Sequence, residues 1–281
     1  MSSYLRPLAI DDALAALASG PRTVLAGGTD YYPARVGQPC DEDLLDITGL
    51  AALRRVEERA DHWRIGALAS WSALAAARLP PWLDGLKLAA REVGGRQIQN
   101  AGTLGGNLCN ASPAADGVPP LLALGAAVDL SAQTGREVLP LDDFILGNRR
   151  TARRPDQLLT AVLVPKPRTA RAGGHFLKLG ARRYLVISVV MVAVALEVAD
   201  DGRVAAAGLA VGACSPVARR MPEAERALCG QPCDRHLADA LQPEHLAGLA
   251  PIDDLRASAA YRADVALTLA RRAVSELALR L

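Results

Sequence analysis

Two glycine-rich segments in the first half of the chain restrict its fold more than any other feature of the sequence. The first occupies residues 25–30 and reads LAGGTD, and the second occupies residues 100–116 and reads NAGTLGGNLCNASPAAD. Glycine has no Cβ, so backbone N–H groups in such segments can approach a bulky anion closely. Each segment also carries a hydroxyl and a carboxylate or amide. Together the two segments predict a large phosphate-bearing ligand that is held from two sides.

Composition excludes several classes of protein. The chain has 281 residues, of which 51% are apolar, and this is enough for two domains with cores of their own. A net charge of +2 and an aromatic content of 4% argue against a nucleic-acid-binding surface. The one dense basic run, residues 149–154, is interpreted as a solvated loop rather than a docking patch.

Cysteine usage and hydropathy bear on location. Five thinly spread cysteines, an odd number, are typical of the reducing cytoplasm, where we expect this protein. The valine-rich uncharged run at residues 184–196 is shorter than the roughly 18 residues that span a bilayer, and its valines predict a buried strand. Cys229 and Cys233 lack a second Cys or His pair, so we expect no metal site.

Familiar nucleotide-binding and catalytic motifs are missing from the sequence. There is no Gly-x-Gly, hence no Rossmann dinucleotide fingerprint, and no Gly-Lys-Ser or Gly-Lys-Thr of a phosphate-binding P-loop. Neither a Gly-x-Ser-x-Gly elbow nor a His-Glu-x-x-His helix occurs, and the four histidines do not cluster in sequence. These motifs therefore offer no candidate for a catalytic side chain.

The periodicity of apolar residues predicts an α+β protein. In the first half it indicates a helix at 11–19, strands at 22–26 and 43–47, alternating strands at 54–58 and 62–67, and helices at 71–77 and 82–92. Ser112 and Pro113 predict the start of a helix that continues to residue 124, before a hairpin at 128–139 around Thr134-Gly135. A strand at 158–164 ends in a proline pair, which we take as the domain boundary.

The second half shows strands followed by helices. We predict three strands, at 175–179, 188–198 and 203–211, and helices at 217–229, 235–241 and 259–278. This order is typical of an antiparallel sheet with helices on one face. The domains are therefore predicted at residues 1–168 and 169–281.

The glycine segments resemble those of one known family. Together with Pro119, the run at 121–124 and the pattern Gly173-x-x-Phe176-x-Lys178-x-x-x-Arg182-Arg183, they are similar to the FAD-binding medium subunit of the molybdenum hydroxylases. That family includes xanthine dehydrogenases, carbon monoxide dehydrogenases and 4-hydroxybenzoyl-CoA reductases. The resemblance covers essentially the whole chain and preserves segment order.

The resemblance implies a particular fold. We expect an FAD-binding lobe of two α+β subdomains, of the vanillyl-alcohol-oxidase or PCMH-like type, in which the glycine loops face each other across the cofactor. A C-terminal domain like that of the CO dehydrogenase flavoprotein, with a three-stranded antiparallel sheet and helices, is expected to follow. There is no cysteine-rich insertion, so no iron–sulfur cluster is expected in this chain. Val186-Ile187-Ser188 replaces the family's Asp-Ile-Ala-like run, which affects details near the exposed flavin face.

The resemblance also implies which residues bind FAD. They are Leu25, Ala26, Gly27, Gly28, Thr29, Asp30, Tyr31, Thr103, Gly106, Asn107, Asn110, Asp116, Leu158, Leu159 and Lys178.

The N–H groups of residues 27–29 can bind the FAD pyrophosphate without a cationic side chain, and the Thr29 hydroxyl can add a donor. Tyr31 is expected to pack against the cofactor, and Asn107 suits a flavin edge or a phosphate. Asp30 either orients the loop or accepts from a ribityl hydroxyl; an Asx turn that holds the loop is an equal alternative.

Three further assignments have structural alternatives. Asp116 is expected to accept from ribose or ribityl hydroxyls, and its alternative is a carboxylate in the first turn of a helix. Lys178 is expected near the flavin, where a cation favours the reduced anionic form, and its alternative is an exposed strand lysine. Leu158 and Leu159 either pack against the flavin or adenine end or are ordinary strand core.

The implied function is electron transfer within a complex. A large subunit would oxidise the substrate at molybdopterin, and a small subunit would carry two [2Fe–2S] clusters. This chain would pass electrons from those clusters through FAD to NAD⁺, a quinone or oxygen. Two alternatives remain open: a stand-alone FAD-dependent oxidoreductase with its own small substrate, and an assembly subunit that has lost flavin.

Overall fold

Three β-sheets of three to five strands, each built mainly from a different stretch of the chain, and one two-stranded sheet organise the molecule. The computed structural model describes residues 2–281. The strands are β1 (Tyr4–Leu5), β2 (Thr23–Leu25), β3 (Leu44–Asp46), β4 (Val56–Glu58), β5 (His62–Gly66), β6 (Ala127–Ala132), β7 (Gly135–Pro140), β8 (Ile145–Gly147), β9 (Arg150–Thr151), β10 (Leu158–Pro165), β11 (Arg171–Leu179), β12 (Val190–Val198), β13 (Val204–Gly212) and β14 (Arg219–Arg220).

The α-helices lie between and around these sheets. They are α1 (Ile10–Ala18), α2 (Trp71–Ala76), α3 (Asp84–Glu92), α4 (Arg96–Ala101), α5 (Leu104–Asn110), α6 (Val118–Ala123), α7 (Leu141–Phe144), α8 (Pro222–Leu228) and α9 (Ala259–Ala278). Among residues 2–281, none of the helices combines the length and the apolar composition that a bilayer crossing requires.

The first sheet is small and parallel, with strand order β1-β3-β2. Helix α1 buries Ala13, Leu14 and Leu17, which recur at helical spacing and join Leu45 of β3 in one apolar cluster. Strand β2 ends at Leu25, so the first glycine segment begins at the carboxyl end of a parallel strand. Ligands of α/β sheets bind at this end of the strands.

The second sheet is antiparallel, with strand order β4-β5-β10-β6-β7. Its central strand β10 comes last in sequence and pairs with both β5 and β6, so it joins the β4–β5 and β6–β7 pairs into one sheet. The helices α2, α3, α5 and α6 bury their apolar faces in the same large cluster, around Trp71, Leu86, Leu108 and Leu121. The predicted hairpin at 128–139 is confirmed as β6 and β7, which are joined by a turn at Gln133 and Thr134, and Gly135 begins β7 at φ 138°.

The third sheet is antiparallel, with strand order β11-β12-β13-β14, and it contains the C-terminal strands. Helix α9 packs on one face of this sheet, and α3 and α6 of the first half of the chain pack on the opposite face. Glycine makes the second contact possible: a Cβ on Gly208 of β13 would overlap the carbonyl oxygen of Ala123, and one on Gly174 of β11 would overlap that of Trp82. The two halves therefore meet backbone to backbone.

Four sequence-based predictions about local structure are wrong. Ser112 does not begin a helix: its Oγ accepts from the backbone N–H of Ala114 at 3.2 Å in a turn, and α6 starts at Val118. The C-terminal sheet has four strands rather than three, because residues 219–220 pair with β13. The predicted helix at 217–229 is therefore shortened to α8, which begins at Pro222, a residue suited to a first helical turn. The helix predicted at 235–241 is only a 3₁₀ turn.

The backbone contact at Gly208 generates the first prediction. Gly208→Ala pushes β13 away from α6 and is expected to lower the free energy of unfolding by about 1–3 kcal/mol, the usual range for overpacking. Gly248→Ala is the matched control, because nothing lies within 4 Å of a Cβ at that position. Denaturant unfolding measures both. Equal stability of the two variants would contradict the close approach described above.

Candidate functional site

A cavity of about 590 Å³ opens where the loop after β2 meets α5. Its volume lies within the range of roughly 300–1,000 Å³ that is typical of small-molecule and cofactor sites. The residues that line it come from both glycine segments, from α2 and α4 and from the β8–β9 turn. They are Thr23, Val24, Leu25, Ala26, Gly27, Gly28, Thr29, Asp30, Tyr31, Ala34, Arg35, Trp71, Val93, Ile98, Gly102, Thr103, Gly106, Asn107, Cys109, Asn110 and Arg149.

The two glycine segments touch each other beside this cavity. A Cβ on Gly27 would overlap the carbonyl oxygen of Ala101 and would lie 3.0 Å from the Cα of Gly102. Gly28 has φ 68°, in the left-handed region that favours glycine, and a Cβ there would lie 2.6 Å from the Tyr32 ring. Only glycine fits at these two positions, and the segments predicted to face one ligand do lie on one cavity.

The first segment has free backbone donors. Its turn is held by the N–H of Tyr32, which donates to Gly28 O at 3.1 Å, and by that of Ala34, which donates to Asp30 O at 3.3 Å. Within residues 2–281, no hydrogen-bond acceptor is recorded for the N–H groups of residues 27–29. Asp30 forms no Asx turn, so that alternative is wrong, and its carboxylate is exposed. The loop can therefore offer consecutive N–H groups to an anion.

The second segment is built differently, and the expectation of two equivalent amide loops is wrong. The N–H groups of Gly102 and Gly105 donate to Ile98 O at 2.7 Å and Ala67 O at 2.8 Å. The N–H of Gly106 donates to the Oγ1 of Thr103 at 3.1 Å, as in an N-capped helix. These glycine amides are already satisfied, so this segment contributes shape and side chains to the cavity rather than free donors.

Asn107 carries an unsatisfied acceptor. Its Oδ1 is buried and receives no hydrogen bond from any described residue, and it would lie 2.9 Å from a Cβ on Gly117. A buried polar atom without a partner costs about 1–3 kcal/mol. Asn107 also lines the cavity. A ligand with an O–H or N–H donor would satisfy this oxygen.

Tyr31 and Arg35 form a fixed wall at one side of the cavity. The guanidinium carbon of Arg35 lies 3.9 Å from the centre of the Tyr31 ring, and its Nη2 lies 2.6 Å from the Oε1 of Glu42. The Tyr31 hydroxyl lies 3.4 Å from the sulfur of Cys40, and this hydrogen bond is the main cause that raises the pKa of Tyr31 to about 12. Tyr31 therefore stays a neutral aromatic surface at physiological pH.

Asp116 and Lys178 form a buried ion pair behind the cavity wall. The Nζ of Lys178 lies 2.9 Å from the Oδ2 of Asp116, and the Oγ of Ser188 donates to Oδ1 at 3.0 Å. Lys178 is buried, so the exposed-lysine alternative is wrong, and Asp116 precedes α6 rather than lying in its first turn. Burial raises the pKa of Asp116 above its ordinary value, against the lowering effect of Lys178.

This pair joins the two halves of the chain next to the site. Neither residue lines the 590 Å³ cavity, but each is connected to a residue of its wall through one intervening residue. Lys178 donates to the carbonyl oxygen of Glu92 at 3.3 Å, and the next residue, Val93, lines the cavity. Asp116 is followed by Gly117, against which Asn107 packs.

Leu158 and Leu159 line a second cavity, of about 300 Å³, that adjoins the first. The two cavities share walls at Ala26, Gly106 and Cys109. Burial raises the pKa of the Cys109 thiol to about 11, so it remains protonated and acts as an apolar part of this wall. Eleven of the residues assigned from the sequence line the larger cavity, these two leucines line the smaller one, and Asp116 and Lys178 line neither.

Sequence reasoning missed several residues of the wall. Val93 and Ile98 supply apolar surface, Arg35 and Arg149 supply its cations, and the buried Trp71 borders it. Trp71 carries no motif that separates it from core tryptophans. Arg149 belongs to the basic run that was interpreted as a solvated loop, and its exposed side chain nevertheless borders the cavity. The one feature of the sequence that could have pointed to Arg149 was its position in a short hairpin turn.

Comparison with known proteins identifies the class. The model of an "FAD binding domain in molybdopterin dehydrogenase" matches residues 1–167, and that of a "CO dehydrogenase flavoprotein C-terminal domain" matches residues 175–277. The chain belongs to the family of FAD-binding medium subunits of the molybdenum hydroxylases, which are oxidoreductases of the xanthine dehydrogenase and CO dehydrogenase type.

Similar proteins span nearly the whole chain. The nicotine 6-hydroxylase medium subunit of Paenarthrobacter nicotinovorans is 30% identical over 97% of this chain and 96% of its own length. The carbon monoxide dehydrogenase medium chain of Afipia carboxidovorans is 32% identical, with 96% and 94% covered. The crystal structure of a cyanide-inactivated Cu,Mo-CO dehydrogenase contains a chain with a TM-score of 0.90 and 30% identity, with 100% and 98% covered.

The residues present fit FAD. The free N–H groups of residues 27–29 suit a diphosphate, which carries two negative charges. The unsatisfied Oδ1 of Asn107 needs a donor, and FAD has hydroxyl and N–H groups. Val93 and Ile98 offer an apolar surface to a ring system. The site thus provides the three kinds of contact that the parts of FAD require.

The buried ion pair generates the second prediction. Lys178→Met leaves Asp116 buried without its cation and is expected to lower the free energy of unfolding by about 3–5 kcal/mol. The pKa of Asp116 then rises further, so the folded state of this variant loses stability as the pH rises above the ordinary aspartate value. The destabilisation is therefore larger at about pH 8 than at about pH 5.5.

The double variant Asp116→Asn/Lys178→Met is the control for this prediction. It removes the unpaired charge and is expected to recover part of the stability and to abolish the added pH dependence. Denaturant unfolding at both pH values measures all three proteins. A double variant that is less stable than Lys178→Met, with no pH dependence in Lys178→Met, would contradict the pairing.

Proposed function

We propose that this chain binds FAD in the 590 Å³ cavity and serves as the electron-transfer subunit of a molybdenum hydroxylase complex. Electrons from two [2Fe–2S] clusters of a small partner subunit would reach an acceptor such as NAD⁺, a quinone or oxygen through this subunit. A large partner subunit would hold molybdopterin and oxidise the substrate. When bound, FAD supplies the redox chemistry through its isoalloxazine ring. The three-amide loop at residues 27–29, packed against Ala101–Gly102, is the observation that carries the proposal.

The chain's own residues are assigned supporting roles. The N–H groups of residues 27–29 hold the diphosphate, and Asn107 accepts from a donor of the cofactor. Tyr31 keeps a neutral aromatic face at the rim. Lys178, fixed by Asp116, places a cation behind the wall that Val93 forms, and the pair holds the C-terminal half against the site. No side chain needs to act as a general acid or base.

Domain organisation and location are proposed on the same basis. We propose a division near residue 168, between β10 of the second sheet and β11 of the third. The first family match ends at residue 167 and the second begins at residue 175, which supports this division. A cytoplasmic location rests on the free, scattered cysteines.

The proposal makes the third prediction. Purified protein is expected to bind one FAD per chain, and Gly27→Ala is expected to weaken binding about tenfold or more, because its Cβ pushes the loop off Ala101. Gly20→Ala is the matched control, since nothing lies within 4 Å of its Cβ. Flavin fluorescence titration measures the affinities. Failure of the unaltered protein to bind FAD would refute the proposal.

The partners are tested in the same preparation. A molybdopterin-containing polypeptide and an iron–sulfur polypeptide are expected to co-purify with the chain, and only the complex is expected to reduce the bound flavin with substrate. Turnover of a small substrate by this chain alone would instead favour a stand-alone flavin oxidoreductase.

A further inference from the structure

Arg149 is a cation on the cavity wall without a partner. Only two basic residues line the cavity, and Arg35 is held by Glu42, with Nε and Nη2 at 2.9 and 2.6 Å from Oε1. No hydrogen bond or ion pair joins Arg149 to any other residue within 2–281. The one acidic residue on the wall is Asp30, which also has no recorded ion pair there. Among the described residues, Arg149 is therefore the positive charge of the cavity wall that has no ion-pair partner.

The backbone of Arg149 adopts a conformation that disfavours its side chain. The two-residue turn between β8 and β9 consists of Asn148 and Arg149, and Arg149 has φ 56°. In a turn whose second central residue has positive φ, glycine or asparagine is preferred, because a Cβ is strained there. A Cβ-bearing residue kept at a glycine position, on the wall of a binding site, is typical of a residue retained for function.

We propose that Arg149 binds the diphosphate of FAD together with the N–H groups of residues 27–29. The inference rests on the proposed function of this cavity and adds a cationic contact that the glycine segments do not provide. A guanidinium group can donate two parallel hydrogen bonds to phosphate oxygens and neutralise part of their charge. It also offsets the Asp30 carboxylate, which otherwise lies next to the anion.

The experiment compares variants of Arg149 with one at its neighbour. Arg150 is exposed, lines neither cavity described above and makes no recorded ion pair, so Arg150→Gln is the matched control. Arg149→Gln is expected to bind FAD and ADP about tenfold more weakly than the unaltered chain, and Arg149→Lys to keep part of the affinity. The loss is expected to shrink between about 0.1 M and about 1 M salt, because it is electrostatic.

Arg149→Gly separates function from folding. Glycine relieves the positive φ, so this variant is expected to unfold at the same or a higher temperature than the unaltered chain while showing the same loss of FAD affinity. A merely structural role of Arg149 predicts no selective loss of binding in a stable protein. Titration of FAD and ADP, followed by thermal unfolding, gives both readouts without any activity assay.

The outcomes are distinct. If the unaltered chain binds FAD and Arg149→Gln binds it equally well, the role of Arg149 is refuted and the proposed function stands. A loss that is the same at all salt concentrations, or the same in Arg150→Gln, also refutes a phosphate contact by Arg149. If the unaltered chain does not bind FAD, the proposed function itself fails.

Discussion

The close approach of Gly27 to the peptide between Ala101 and Gly102 is the constraint on which the site depends. It brings the carboxyl end of a parallel strand in the first sheet against the helices that cover the second sheet. The loop packs against a backbone, and no residue within 2–281 accepts a hydrogen bond from the N–H groups of residues 27–29. A preformed row of donors needs little reorganisation when an anion arrives, which favours affinity.

A second set of contacts holds the C-terminal half beside this loop. The Asp116–Lys178 pair and Ser188 join the halves, and the N–H of Ala213 donates to Pro113 O at 2.9 Å. Buried Arg262 of α9 braces the same region by donating to Val189 O at 2.6 Å and to Ala213 O at 3.0 Å. The C-terminal domain thereby positions the segment around Asp116 that packs behind Asn107.

Backbone strain is concentrated around the same region. The residues other than glycine with positive φ among 2–281 are Ala111, Arg149, Leu185 and Ala213. Ala111 ends the helix that lines the cavity, Arg149 lies on its wall, Leu185 packs against Gly95 beside α4, and Ala213 contacts Pro113. Such residues persist where surrounding contacts fix the chain, and they cluster at binding sites.

Much of the fold and the location of the site could be predicted from the sequence, because local patterns carry them. The β6–β7 hairpin, the α+β class and the meeting of the two glycine segments follow from periodicity, glycine placement and the resemblance. The different roles of the two segments could not be predicted, since Gly105 is satisfied by Ala67, 38 positions away in sequence. The Asp116–Lys178 pair and the position of Arg149 on the cavity wall could not be predicted either. Each depends on which segments, far apart in sequence, the folded chain brings together.

Amide hydrogen exchange, resolved by residue with and without FAD, tests the central claim most directly. The N–H groups of residues 27–29 are expected to exchange fast in the free protein and at least about tenfold more slowly with FAD bound. Those of Gly102 and Gly105, already hydrogen-bonded, are expected to be protected in both states. Binding of FAD without any slowing at residues 27–29 would contradict the account.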